Sequence, residues 1–293
     1  MGAVKEILDL ASELVPENLR SHVDIVSVSE NQKQEQISKS SIAICSQLAP
    51  HSVVNLAIDS KFGHICQSNG KFFNHEVSTA ANMIASPQNF LNFPLAVTLN
   101  PQNINSAGEL KLRHLSTPFN GANEKETVLK SLKSWVETIS KSNSFVGEVL
   151  GIADELFMNA VYNAPFINEQ GKREDIGFDD ERVRNGLGKS GCLFAGAYDG
   201  QLVIGCSDQF GSLNIEKLLN GIKGCFDKGV AENMNFSTSG GAGIGSFLVF
   251  NSGVSYYVGV EKGQRTVVCC KLPLGMSSRK RDEEPKNLSF FVI

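Results

Sequence analysis

Two hydrophobic periods alternate along the chain, one near 3.6 residues and one near 2, and the switches between them place the elements. Apolar positions at helical spacing predict a helix over Val4 to Leu14, and alternation predicts strands at His22 to Val28 and Ser41 to Gln47. A polar helix is expected at Glu30 to Ser38, strands at Val53 to Ile58 and Leu95 to Leu99, and a helix near Val77 to Ala85. Helices alternating with strands indicate a small α/β domain with parallel pairing. The polar stretch LNPQNINSAG, residues 99 to 108, interrupts the periodicity with Pro101 and Gly108 and marks a domain boundary.

Beyond it, Glu109 to Thr117 alternates as a strand, and Asn123 with Glu126 has capping-box spacing before Val128, Leu132, Trp135, Val136 and Ile139, a helix ended near Asn143. The next helix, Phe145 to Ala164, places Val149, Ala153, Leu156, Phe157, Ala160 and Ala164 on one face and Glu148, Glu155, Asn159 and Asn163 on the other. Strands at Cys192 to Tyr198 and Gln201 to Ser207 flank the turn dipeptide Asp199-Gly200. A helix with Ile215, Leu218, Leu219, Ile222 and Phe226 in phase follows over Asn214 to Phe226. Then come a polar loop, Asp227 to Ser239, a helix from Ile244 to Asn251, and strands Val254 to Val260 and Arg265 to Leu272. This order implies a two-layer α/β sandwich. The tail, residues 276 to 293, is charged and ends in an apolar pentad; it is either a disordered segment with a docking end or a last strand of the domain.

Length agrees with this division: 293 residues exceed the usual ~100 to 200 per domain, so residues 1–105, 106–275 and 276–293 are expected as an N-terminal domain, a C-terminal domain and a tail. Hydrophobic content of 41% and charged content of 20% are those of an ordinary globular chain. The net charge of −4 divides as about −3, −2 and +1 over the three regions, so none offers the basic surface that nucleic acid requires. The apolar runs are too short to span a membrane, and charge comes too early in MGAVKEILDL for a signal peptide. Glu6 also stands where a myristoylation signal wants Ser or Thr, and a cytoplasmic location is the expectation. Seven cysteines without a Cys-x-x-Cys pair indicate reduced thiols. His51, His64, Cys66 and His75 cluster in sequence but match no common zinc spacing.

Candidate chemistry is confined to the second region. A solvated polar face would explain Glu155, Asn159 and Asn163, yet Asn is a poor helix former and an unnatural surface choice. The Asn159 amide offers Mg²⁺ a neutral oxygen, and Glu155, one turn earlier, is placed to take a proton from a hydroxyl. Asp208, at a strand end, is either a turn aspartate or an acceptor for the exocyclic amine of adenine. Gly240, Gly241, Gly243 and Gly245 open a helix, where backbone N–H groups favour phosphate. Neither the Walker A spacing nor a dinucleotide fingerprint is met.

In this order the motifs resemble those of the GHKL (Bergerat-fold) ATP-binding domains of histidine kinases, gyrase-type ATPases and, most closely, the anti-sigma-factor serine kinases. Glu155 to Asn159 matches the family's N box, Asp208 to Gly211 its first glycine box, and Gly241 to Gly245 its second. The resemblance, over residues 108 to 275, implies a Bergerat-type sandwich; the smaller N-terminal α/β domain read from the alternation precedes it unassigned. It implies ATP and Mg²⁺ as cofactors, with Glu155 as general base, Asn159 as the Mg²⁺ ligand, Asn163, Asp208, Gly211 and the later glycines against the nucleotide, and Asp227 to Ser239 as the ATP lid. Implied partners are ATP and a protein such as a sigma-factor regulator or an anti-anti-sigma-like domain; homodimerisation is left open. The chain departs from the family in carrying Phe210 where a glycine normally approaches the base, and in the charged insertion Glu169 to Arg184. Two function classes follow: a kinase acting on protein serine or threonine, or an inactive nucleotide-binding or interaction module. An orphan histidine-kinase-type catalytic domain is a further variant, although His114, the nearest histidine, lies in a strand pattern.

Overall fold

Nine strands form one mixed sheet in a computed structural model that describes residues 2–28, 40–101, 113–166, 177, 179–230 and 244–293. The first region contributes α1 (Gly2–Leu14), β1 (Asp24–Ser27), β2 (Ser41–Cys45), α2 (Pro50–Ser60), β3 (His64–Gln67), α3 (Phe73–Ala85), α4 (Pro87–Asn92) and α5 (Pro94–Leu99). The second contributes β4 (Arg113–Phe119), α6 (Lys125–Ile139), α7 (Asn143–Met158), α8 (Glu181–Asn185), β5 (Gly191–Tyr198), β6 (Gln201–Asp208), α9 (Ile215–Lys228), α10 (Ile244–Ser252), β7 (Ser255–Glu261) and β8 (Arg265–Pro273). The tail adds α11 (Ser278–Asp282) and β9 (Asn287–Val292).

The strand order is β1-β2-β3-β9-β7-β8-β6-β5-β4. β1, β2 and β3 are parallel, as the first region's pattern predicts, whereas β7, β8, β6, β5 and β4 pair antiparallel in turn. β9 joins the two sets, antiparallel to β3 and parallel to β7, so the sheet is continuous across the expected boundary. Of the two readings of the tail, the pairing strand is the one observed.

Two expected strands are helices. Val53 to Ile58 lies in α2 and Leu95 to Leu99 in α5, and each helix opens on a proline, Pro50 and Pro94. Proline presets the helical φ and lacks an N–H that the first turn leaves unbonded anyway, so it starts helices well. Val53, Val54 and Ala57 are buried at helical spacing, a short apolar run that periodicity alone does not separate from a strand. Conversely β3 went unread, because His64 and Gln67 make it look polar although all four of its residues are buried. Asn123 and Glu126 make no capping box: Glu124 receives the backbone N–H of Asn120 instead, at 2.8 Å. The polar helix expected at Glu30 to Ser38 lies outside the described residues.

Helices cover both sides of the sheet. On one, α2, α6, α7, α9 and α10 build the main core, with Val149, Ala153 and Phe157 of α7 against Leu193, Ile204 and Tyr256 of the strands. Each large apolar side chain so buried contributes about 1.5–3 kcal/mol. On the other side α1 and α3 cover β1 to β3, and α4 and α5 set Phe90, Leu91, Val97 and Leu99 against Phe194, Val203 and Tyr257. With helices on both faces the described residues form three layers, whereas the two-layer sandwich was expected of residues 106–275 alone. The extra layer over β5 to β8 comes from residues before the boundary. No helix among the described residues is long and apolar enough to cross a membrane.

Candidate functional site

Ser142 caps α7, its hydroxyl accepting from the Phe145 N–H at 3.3 Å. The expected single helix to Ala164 changes pitch on the way: α7 ends at Met158, a π turn spans Asn159–Asn163, and a 3₁₀ turn follows over Ala164–Phe166. Such a widened turn is uncommon and frequent at functional sites. It begins at the residue that carries the candidate amide.

Along this segment the three polar side chains form a directed chain. Asn163 Nδ2 donates to Asn159 Oδ1 at 2.6 Å, and Asn159 Nδ2 donates to Glu155 Oε1 at 3.0 Å. Burial pushes the Glu155 carboxyl above its ordinary value; the hydrogen bond from Asn159 opposes this, Asp154 adds to it and Lys125 counters it. A base that is half-buried and bonded to a neutral amide keeps its proton affinity.

The opposite wall of this site is α10, which packs along α7. A Cβ on Gly245 would stand 1.7 Å from both Cδ and Oε1 of Glu155, so the carboxylate rests on the helix backbone itself. Beneath them lies Tyr256 of β7, buried and close to both Glu155 and Ser246 of α10. Gly240, Gly241 and Gly243, and residues 231–239 of the expected lid, lie outside the described residues.

Asp208 closes β6 with 7% of its surface exposed. Its Oδ1 accepts from the N–H groups of Phe210 at 2.9 Å and Gly211 at 3.4 Å. Burial nevertheless pushes the carboxyl up to about 6, against these two bonds and the nearby Thr266 and Lys189. Thr266 pairs with Asp208 across β6 and β8; its buried hydroxyl lies near enough to favour the ionised carboxylate yet outside hydrogen-bond geometry, which leaves its polar capacity unused. Nothing in the sequence singles out Thr266 among the polar residues of strands, because its relevance comes from register. The loop after Asp208 is tied to the end of the α7 extension by Ser212 Oγ, which donates to the Ala164 carbonyl at 2.8 Å. The acid-and-amide helix, the strand-end aspartate and the α10 start are thereby held on one side of the sheet.

Gly211 has a task in the fold itself. With φ of 58° and a Cβ position 2.0 Å from the Glu261 carbonyl, it is required by the β7–β8 turn, whose Gly263 N–H donates to its carbonyl at 3.2 Å. Phe210, half-buried, lies under the Lys189 ammonium, 5.0 Å from the ring centre.

For Mg²⁺, Asn159 offers an amide oxygen, a donor of the hard type that this ion takes. Asn159 Oδ1 accepts one bond from Asn163 and has a second lone pair. In donor type this oxygen fits the ion. Among the described residues no group of three or more His, Cys, Asp or Glu is arranged to hold a metal. Burial pushes His64 down to about 3, so it is neutral in β3, and His51 packs against Phe226.

Two further features border this site. A groove of about 800 Å³ opens between α4, α5 and the edge strand β4, lined by Phe93, Ser116, Cys192, Arg265, Asp208 and Gln209 among others. The insertion is described at residue 177 and from residue 179 onward, where Asp180 caps α8 and Arg182 covers the Phe166 ring at 5.4 Å. Compared with protein-family models and with curated proteins, the chain matches none.

Proposed function

We propose that the chain is an ATP-binding regulatory protein of the GHKL type, similar to the anti-sigma-factor serine kinases, which transfers the γ-phosphoryl of ATP to a serine or threonine of a partner protein. The observation that carries this reading is the meeting of Glu155, Asn159 and the α10 start on the sheet face that also holds Asp208. In it, Glu155 accepts the proton of the attacking hydroxyl, and its raised proton affinity suits that task. Asn159 holds Mg²⁺, which when bound neutralises phosphate charge. Asp208, ionised for the most part at pH 7, accepts from the exocyclic amine of adenine, and Thr266 supplies the unused hydroxyl beside it. Residues 106–275 form the Bergerat-type sandwich of this reading, and residues 1–105 the regulatory or interaction domain. The partner is a sigma-factor regulator or an anti-anti-sigma-like domain.

A second reading, an interaction module without transfer, is favoured by one observation. Phe210 and Gly211 are engaged by Lys189 and by the β7–β8 turn, where a nucleotide-binding loop would leave backbone free. Calorimetric titration of the full chain with ATP and ADP, with and without Mg²⁺, separates the two. Magnesium-dependent binding supports the kinase reading, and absence of binding to either nucleotide sinks it.

A further inference from the structure

We propose that the groove under α4 and α5 binds an elongated small molecule carrying one carboxylate on an apolar body, with Arg265 as the anchor of the carboxylate. The site does not depend on the phosphoryl transfer proposed above. Register assembles its floor: Ser116 pairs with Phe194, Cys192 with Ser207, and Ser207 with Val267. These residues and Arg265, two positions before Val267, share the sheet face that α4 and α5 partly cover, while α7 packs on the other. At Gly196 α5 closes on the sheet, where a Cβ would meet Leu95 and Leu99 at 3.0 Å. Beyond it, toward Phe93 and Pro94, about 800 Å³ opens, within the ~300 to 1,000 Å³ of small-molecule sites.

Arg265 supplies the charge. Its Nη1 donates to the Leu91 carbonyl at 3.2 Å and to Asn92 Oδ1 at 2.6 Å, two neutral acceptors that fix the guanidinium without neutralising it. Glu261, opposite Arg265 in the β7–β8 register, takes the Gln88 amide at 3.0 Å instead of an ion pair. Asp208, the one acid in the lining among the described residues, is bonded to the N–H groups of Phe210 and Gly211, and the cation acting on it is Lys189. Nε and Nη2 of Arg265 remain, the side of the fork that takes a carboxylate through two parallel bonds. No other lysine or arginine among the described residues lines the groove, which suits one negative charge better than the two of a phosphate monoester. Three strand spacings, ~14 Å, lead from Arg265 on β8 to Ser116 on β4. Along them the helix side is apolar, with Phe93 62% exposed, so a body lying there removes apolar surface from water. Because α4 and α5 come from the first region and the strands from the second, a molecule seated here bears on both.

Cys192 makes the site readable: alone among the seven cysteines it is not buried, and its Sγ lies 3.1 Å from Ser116 Oγ on the groove floor. The test uses 4-phenylbutanoate and its uncharged amide on the full chain. Saturation-transfer NMR gives affinity, and the rate of Cys192 alkylation by iodoacetamide, followed by mass spectrometry, gives place. For a ligand of this size the expected Kd is on the order of 1 mM. The acid is expected to bind about 10-fold tighter than the amide and to slow alkylation as the site fills, and Arg265→Gln to remove the preference for the acid. Phe93→Ser, at an exposed side chain that the fold does not need, weakens both ligands. Equal affinity for acid and amide, an acid preference that survives Arg265→Gln, unchanged alkylation at saturation, or no binding at about ten times the expected Kd overturns the proposal. So does competition by inorganic phosphate as strong as the acid's own binding, which would leave an anion site only. Protection of Cys192 that grows with protein concentration alone would put a second copy on this face and overturn it as well. Should Arg265→Gln fail to fold, Phe93→Ser decides, and wild-type affinity in that variant overturns the proposal.

Discussion

Glu76 and Glu155 approach the sheet from opposite sides, and the difference between their surroundings separates a carboxylate that holds the fold from one that is open to chemistry. Glu76, on α3, is 1% exposed; it accepts the Tyr257 hydroxyl on both oxygens, at 3.0 and 2.8 Å, and the Lys271 ammonium at 2.8 Å. Its lone pairs are met by a cation and a donor from β7 and β8, so it ties the first region to the second. Glu155 meets a neutral amide and a glycine backbone, and burial raises its proton affinity. A buried charge that is fully paired is committed to structure, because every exchange of partner costs desolvation. A carboxylate short of partners keeps its capacity to take a proton.

Breaking the first site has the largest expected effect. Glu76→Ala leaves Lys271 buried without its counter-charge and costs about 3–5 kcal/mol in a denaturant titration, whereas Glu76→Leu with Lys271→Met recovers most of the loss. If Glu76→Ala costs under ~1 kcal/mol, the pair does not join the two regions.

Asp208 sharpens the contrast as a carboxylate that is buried and only partly satisfied. Unfolded, it is ionised above about 3.8; folded, it holds its proton to about 6. Between these values the native state binds more protons, so the stability that Asp208 contributes falls as pH rises through the window and is fully present only below about 4. Asp208→Asn removes that slope, up to about 3 kcal/mol over the window. Melting curves from pH 4 to 7 with the same slope in both proteins would refute the assignment.

The smallest stability effect is expected at Glu155. Glu155→Gln keeps an oxygen for Asn159 and changes stability by about 0.5 kcal/mol or less, while any phosphoryl transfer is abolished and ATP binding persists. Transfer at the wild-type rate would remove Glu155 from the role of base.

The second region was more legible than the first for a physical reason. The Asp199-Gly200 turn, the β5–β6 hairpin it closes and the amphipathic face of α7 are local, and each is specified by residues a few positions apart. In the first region α4 and α5 are six-residue helices punctuated by Pro87 and Pro94, too short for a period to declare itself. β3 is buried by what surrounds it and not by its own composition. For the candidate site, Glu155, Asn159, Asn163 and Asp208 could be picked by residue type and order, but Thr266 and Tyr256 could not. Their roles depend on the register of β8 and β7.

The sequence by itself determined the α/β class, the parallel first strands, the hairpin and the order of the candidate motifs, because these follow from local periodicity and turn chemistry. Tertiary structure alone decided that the tail strand β9 enters the sheet between β3 and β7, with Lys286 donating to the carbonyls of Asn251, in α10, and Gly253, just after it, at 2.6 and 2.7 Å and Arg281 paired with Glu148 of α7. It also decided that Gly245 seats the Glu155 carboxylate. Such contacts join residues about 35 to 220 positions apart in the chain, where burial and register, and not local pattern, determine which groups meet.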